Sequence, residues 1–324
     1  MRGYQRFASK KRKPLRAALP ELRSHNEFEL SAEKRAAAGR SWGRHGERKQ
    51  SGLEFRSIRT ARRRYLFDAW VELRERIRLA AHIALFLDFD GTLAELRPFP
   101  SQAALPKPTQ RVLSRLAGCS RASVSIISGR TLEDLRNKVR VSGVHYLGLH
   151  GWEREGHSDK LSKTILRQIN RARVAEHKQL RGLPGVWVED KKSGFAVHLR
   201  AASNAVTRRA RVAFQVALKP FLADLRVIQG EETWEVLPHS APGKGAAARN
   251  LLDGLPRYTL PIYAGDDTTD EEAFAELSEG ITVHVGKSNK TRAKFWLRNP
   301  KEIYRFLQKL EEELLCERLS LSDS

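Results

Sequence analysis

Cysteine is scarce in this 324-residue chain: Cys119 and Cys316 stand far apart and form neither a metal-ligand nor a redox spacing. A reduced compartment is the setting expected. No run of about 18 apolar residues occurs, so no membrane-spanning helix is expected, and the N-terminus lacks the apolar segment of a secretory signal. The Arg-rich, Ser-containing start is interrupted by Glu21, Glu27, Glu29 and Glu33, which argues against an organellar transit peptide. A cytoplasmic protein with no membrane partner is therefore expected. Methionine occurs once, at position 1, so no internal Met codon offers a later start. Acidic residues are also in deficit, with 38 Asp and Glu against 59 Lys and Arg and a formal net charge of +21. The deficit is local, because the first 64 residues hold 19 Lys and Arg against 6 Asp and Glu. The rest of the chain is only mildly basic, and nucleic acid is not expected as its partner. Residues 1–60 lack sustained periodicity and are expected to form a disordered extension open to contact with a polyanion.

What is present is a core. Hydrophobic residues make up 40% of the chain, enough for one large domain or two moderate ones. Apolar runs recur at 83–87, 124–127, 146–149, 260–264 and 281–285, and helical patterns such as 109–116 and 133–139 separate several of them. Thr131 is a cap for the second of these. The spacing of Leu66, Trp70, Leu73 and Ile77 predicts an amphipathic helix leading into the first run, and Ile303, Phe306, Leu307, Leu310 and Leu314 predict one after Asn299-Pro300. Alternation of this kind predicts an α/β fold with a doubly wound parallel sheet.

The third and fourth runs are separated by about 110 residues, far more than one crossover needs, so an inserted module is expected there. Its grammar is different: helix 161–180, strands 185–190 and 194–200 around a turn at 191–194, helix 202–218, then strands 225–229 and 233–237. Two helix-hairpin units make a small α+β cap. The expected division is an extension at 1–60, a core at 61–155 and 239–324, and the cap at 156–238.

Polar motifs follow the apolar runs directly, where ligands of such sheets bind outside the carboxyl ends of the strands. Asp88-Phe89-Asp90-Gly91-Thr92 follows the first, Ser128-Gly129-Arg130 the second, His150-Gly151 the third and Gly265-Asp266-Asp267 the fourth. Residues two apart on a strand share a face, so Asp88 and Asp90 converge, with the Thr92 hydroxyl near them and Gly91 free to turn. One carboxylate can attack phosphorus to give an acyl phosphate; the other can protonate the leaving oxygen and later deprotonate water. A calcium loop is excluded, since EF-hand spacing would put Gly at Leu93 and Glu at Phe99. Asp266, Asp267 and Asp270 form a second acidic cluster whose repulsion a cation would relieve, and Mg2+ suits Asp88, the Asp90 carbonyl and Asp266 as ligands. The alternative for Asp270 and Glu271 is helix capping. Ser128 and Lys244 are candidates for stabilising phosphoryl oxygens electrostatically. Arg130 is ambiguous, and Glu189, Lys191, His198 and Glu235 are either readers of sugar hydroxyls or ordinary surface charge on half-exposed hairpins.

In these motifs the chain resembles the haloacid dehalogenase phosphatase superfamily and, within it, the trehalose-6-phosphate phosphatase family. The superfamily likeness rests on Asp88-Phe-Asp-Gly-Thr-Leu93, Ser128-Gly-Arg130, Lys244-Gly245 and the run from Gly265 to Phe274. The narrower likeness rests on Gly148-Leu-His-Gly-Trp-Glu153, on Val188 to Arg200, and on Trp234-Glu-Val-Leu-Pro238, with Pro100 and Ala103 fitting as well. The resemblance implies a Rossmann-like core with an inserted cap and Mg2+-dependent hydrolysis of trehalose 6-phosphate, a small sugar phosphate, through an aspartyl-phosphate. Asp88 would be nucleophile, Asp90 general acid and base, Asp266 a metal ligand, and Glu189, Lys191 and Glu235 contacts to glucose. Thr92, Arg130, His150 and His198 complete the expected substrate site. Asp190 stands where many relatives have Asn, and residues 1–60 have no counterpart in the family pattern. The alternatives are a sucrose-phosphate or mannosylphosphoglycerate type of phosphatase, or a protein whose basic extension carries its function.

Overall fold

The computed structural model describes residues 63–156, 161–230, 232–288 and 290–315. The 1–60 extension, the polyanion contact expected of it, and Cys316 lie outside the described residues. The first part of the chain forms β1 (Arg64–Tyr65), α1 (Trp70–Leu79), β2 (His82–Leu87), α2 (Lys107–Ala117), β3 (Ala122–Ile127), α3 (Leu132–Val139), β4 (Val144–Gly148) and β5 (Glu153–Arg154). Next come α4 (Lys163–Leu180), β6 (Trp187–Asp190), β7 (Phe195–His198), α5 (Asn204–Leu218), β8 (Leu225–Gln229) and β9 (Thr233–Pro238). The last part holds α6 (Lys244–Leu252), β10 (Thr259–Gly265), α7 (Glu271–Glu276), β11 (Ile281–Val285), β12 (Phe295–Leu297) and α8 (Pro300–Leu315).

Eight strands make one sheet in the order β1-β12-β11-β10-β2-β3-β4-β5, parallel except for the β4–β5 pair at its edge. β2 is apolar on both faces because helices cover both. Ile83, Leu85 and Leu87 pack with α1, α2 and α8, while Ala84 and Phe86 meet Ala247, Ala248 and Phe274 of α6 and α7. The doubly wound α/β class is thus present, with one antiparallel edge strand added. β1, β5 and β12 were not foreseen: at two or three residues each they are too short to show a period.

The other four strands form an antiparallel sheet in the order β6-β7-β9-β8. Period two divides its faces. Phe195, Val197, Trp234 and Val236 bury against α4 and α5. Trp187, Glu189, Ala196, His198 and Glu235 alternate with them and take the opposite face. Both helices begin two residues later than the apolar pattern suggests, because Ser162 and Ser203 act as N-caps and accept from the backbone N–H groups of Ile165 and Val206. Thr131 caps α3 in the same way, accepting from Asp134. β6 starts at Trp187 rather than 185, since Gly185 takes the left-handed conformation at φ +77°.

One residue of α4 opposes this packing. Glu176 is fully buried and neither carboxylate oxygen has a hydrogen-bond partner. Burial pushes its carboxyl up to about 8. The folded chain therefore keeps a proton that the unfolded chain releases, and stability falls as pH climbs from about 4.5 to about 8. Glu176→Met is expected to raise stability more at pH 8 than at pH 5, the difference being on the order of 3 kcal/mol. Scanning calorimetry at the two pH values checks this, and an equal gain at both would contradict it.

Candidate active site

Register assembles the centre. Leu87 at the end of β2 lies opposite Ala264 of β10 on one side and Ile126 of β3 on the other. Asp88, Gly265-Asp266 and Ile127-Ser128 therefore leave the sheet side by side, and Asp88 N–H donates to the Ala264 carbonyl at 2.9 Å. Gly91 takes φ +78°, and a Cβ there would collide with the Asp266 carboxylate. Glycine thus supplies both the turn and the room for Asp266 to close over Asp88.

Lys244 opens α6 and is sealed from solvent. Its Nζ donates to Asp88 Oδ1 at 2.7 Å and to Asp270 Oδ1 at 2.9 Å. Asp270 also accepts from the Tyr263 hydroxyl at 2.7 Å and from the backbone N–H groups of Asp266 and Asp267 at 3.1 and 3.0 Å. Both of its oxygens are spent, and with Asp267 it forms a capping box over the turn Thr268–Asp270. The capping role considered for Asp270 is therefore real, and it also grips Lys244. Glu271 faces elsewhere, accepting from the Arg292 N–H at 2.7 Å.

Three carboxylates, of Asp88, Asp266 and Asp270, each bring an oxygen within 4.8 Å of the others. Burial pushes the Asp88 carboxyl up to about 7, with Lys244 pulling down and Asp270 pushing further up. Burial likewise raises Asp266 well above the usual carboxylate range, and Asp88 and Asp270 add to it. One ammonium is not enough for this crowd. The residues fit a hard, oxygen-seeking cation held by Asp88 and Asp266, the two carboxylates that Asp270's hydrogen bonds leave free.

Asp90 and Arg130 form a bidentate pair, Arg130 Nε to Oδ2 and Nη2 to Oδ1, each at 2.7 Å. The guanidinium also reaches Asp134 and the Pro100 carbonyl and lies over the Phe89 ring at 5.3 Å. These partners raise its pKa further, although burial opposes them. Ser128 is buried, with its hydroxyl oxygen accepting from the Arg130 N–H at 3.2 Å.

The antiparallel sheet roofs these groups. Lys191 Nζ donates to the Gly129 carbonyl at 2.7 Å and to Glu235 Oε2 at 2.9 Å, and His150 Nε2 lies 3.2 Å from Glu235 Oε1. Burial would raise Glu235, but Lys191 and His150 hold its carboxyl well below the usual range. A Cβ on Gly129 would collide with Glu235, so this close approach needs glycine. Beside it, Glu189 Oε2 lies 2.7 Å from His198 Nε2, and the His198 ring stacks on Trp187 at 3.9 Å. His150 sits at φ +58° and its Nδ1 has no hydrogen-bond partner, backbone strain of the kind that collects at functional sites.

A cleft of about 1140 Å³, open mouth included, joins the two layers. Asp88, Asp90, Ser128, Arg130, His150, Glu189, Lys191, His198, Glu235, Lys244 and Asp266 all line it. Thr92 does not. It is fully buried behind the loop, 3.4 Å from Asp266 Oδ1, so it is placed to steady that carboxylate and not to touch substrate. Sequence reasoning missed Tyr263, whose hydroxyl fixes Asp270, although a tyrosine in the apolar run 260–264 is a polar handle worth noticing. It also missed Arg200, which donates to the Arg97 carbonyl at 2.6 Å and pairs with Glu232 at the mouth.

Residues 86–301 match the family model described as trehalose-phosphatase. A trehalose-phosphate phosphatase of Mycobacterium bovis is 34% identical over 250 residues, which are 73% of this chain and 63% of that protein. The chain thus spans less than two thirds of the length of this relative. Trehalose-phosphate phosphatase B of Arabidopsis thaliana is 30% identical, covering 71% of this chain and 66% of that protein. Among solved structures, the C-terminal domain of Candida albicans trehalose-6-phosphate phosphatase aligns with TM-score 0.68 at 22% identity, over 78% of this chain and 98% of that one. That likeness speaks to the fold.

The acidic crowd predicts cation-linked stability. Millimolar divalent cation is expected to raise the melting temperature by a few degrees, and Asp266→Asn to abolish most of that gain. Thermal shift with and without cation and chelator is the measurement; an unchanged response in Asp266→Asn would remove Asp266 from the ligand set.

Proposed function

We propose, from the premise that the chain belongs to the trehalose-phosphatase family, that it hydrolyses trehalose 6-phosphate to trehalose and phosphate. The observation that carries this reading is the convergence, at the carboxyl edge of the parallel sheet, of Asp88, Asp90, Ser128, Lys244 and Asp266 beneath a second sheet bearing Glu189, Lys191, His198 and Glu235. The lower layer suits a phosphoryl group. The upper one, rich in paired charges with few apolar groups toward the cleft, suits sugar hydroxyls.

In this reading Asp88 attacks phosphorus through its carboxylate, forming an aspartyl-phosphate as the bond to the sugar oxygen breaks. Once Arg130 has released it and it has taken up a proton from solvent, Asp90 gives that proton to the sugar oxygen, then takes one from the water that attacks the aspartyl-phosphate and releases Asp88 and phosphate. Lys244 holds Asp88 in place at 2.7 Å and contributes positive charge beside the phosphoryl group. Arg130 keeps Asp90 oriented by its two-point grip until an incoming phosphate offers the guanidinium another anion. Magnesium bound by Asp88, Asp266 and the Asp90 carbonyl would neutralise charge on the phosphoryl oxygens. Residues 156–238 act as the cap, whose closure excludes bulk water. A cytoplasmic setting is part of the reading, supported by a phosphorylated substrate and the free, buried thiol of Cys119.

Phosphate release from trehalose 6-phosphate tests this. Asp88→Asn is expected to lower kcat by roughly 10³-fold or more with the fold intact. Equal turnover of sucrose 6-phosphate and mannosylphosphoglycerate would sink the specific substrate. Glu189→Gln is expected to raise KM by about tenfold while lowering kcat much less, the loss of one charged hydrogen bond to a sugar hydroxyl. A fall confined to kcat would move Glu189 into the chemistry.

A further inference from the structure

The helix-covered face of the antiparallel sheet looks away from the cleft, and the exposed charges of its two helices are all positive, with Asp190 and Asp224 of neighbouring segments beside α4. α4 and α5 together carry eight Lys and Arg and one acid, Glu176, which is buried. In α1, α3 and α8, by contrast, cations and acids are mixed. Arg173 pairs with Asp190. Arg167, Lys178, Arg208 and Arg209 have no ion-pair partner among the described residues. Arg171 and Arg211 lie over the rings of Phe221 and Trp234 at 5.8 and 5.3 Å, contacts that orient a guanidinium without neutralising it.

Aliphatic side chains stand among these cations. Val174, Val212 and Val216 are 57%, 63% and 65% exposed, and Leu166 is 42% exposed. Along α4, Arg167, Arg171, Val174 and Lys178 follow at intervals of four, three and four; along α5, Arg209, Val212 and Val216 follow at three and four. Each series shares one side of its helix. The two helices pack side by side, so the series form a broad face about 27 Å long, the length of eighteen helical residues.

We propose that this face docks on an anionic lipid bilayer. The charge is diffuse, and the aliphatic groups are small and interleaved with it, which suits a headgroup layer with hydrocarbon just beneath. No Phe, Tyr or Trp is exposed on either helix, so the face lacks both the large stacking platforms of single-strand nucleic acid binders and the aromatic anchors of a specific protein interface. Hydropathy along a chain finds only spans; a surface of this kind exists once two helices lie together. Docked this way, the cleft on the opposite face of the sheet stays open to solvent.

The test is sedimentation of the full-length protein with phosphatidylcholine vesicles containing about 30 mol % phosphatidylglycerol, and with pure phosphatidylcholine vesicles. Wild type is expected to bind the first and not the second. Replacing Arg167, Lys178, Arg208 and Arg209 together by Glu is expected to weaken binding by tenfold or more. Val174→Gln with Val212→Gln is expected to weaken vesicle binding by roughly threefold while leaving affinity for a short DNA duplex unchanged. Each variant should keep the wild-type melting temperature. Absence of binding to anionic vesicles overturns the proposal, as does wild-type binding by the four-Glu variant, which would assign adsorption to the basic N-terminal segment. Vesicle binding indifferent to the valines, with duplex affinity lost in the four-Glu variant, would overturn it in favour of nucleic acid.

Discussion

The ammonium of Lys244, enclosed between Asp88 and Asp270, is the interaction on which the centre depends. A charge this deeply buried is tolerated only with partners in place, and here the partners arrive from β2 and from the turn after β10. Asp270 is in turn immobilised by Tyr263 and two backbone N–H groups. Three separate stretches of chain must therefore reach their native positions together, or each leaves an uncompensated ion. The same crowding leaves Asp88 and Asp266 with more negative charge than one ammonium offsets. Structural necessity and cation affinity thus have one cause.

A second buried network ties the roof to the floor. Lys191 links Glu235 to the carbonyl of Gly129, and Gly129 sits between Ser128 and Arg130. In the proposed function, the group assigned to the sugar and the loop assigned to the phosphoryl oxygens thus share a hydrogen-bonded chain, which would join recognition of one end of the substrate to the geometry at the other.

Much of this was legible in residue order. Apolar runs marked the central strands because β2 and β10 are covered on both faces, and polar motifs placed immediately after those runs had to emerge along one edge. Asp88 and Asp90, expected to share the face of a strand, both line the cleft, although the chain bends at Phe89 between them. Side-chain pairing was not legible. Nothing in the order of residues says that Arg130 would choose Asp90, that Thr92 would be turned behind Asp266, or that Tyr263 would fix Asp270, since each depends on which strands become neighbours. β1, β5 and β12 escaped because two or three residues show no period. The cationic face of α4 and α5 escaped for a different reason: composition pointed to the first 64 residues, and only the packing of two helices brings their own cations together on one surface.

Asp88 and Asp266 stand at the ends of adjacent parallel strands, whose separation is set near 4.8 Å by the peptide hydrogen bonds between them. That spacing is a ruler built into the backbone. It brings two anions too close to ignore each other and close enough for a single ion to bridge, and no side chain in either strand sets it. Residues of the sheet other than Tyr263 can change without resetting this spacing, so long as β2 and β10 remain neighbours in this register. The dimension that matters most to the chemistry is a property of the amide group, common to every protein that places two carboxylates this way.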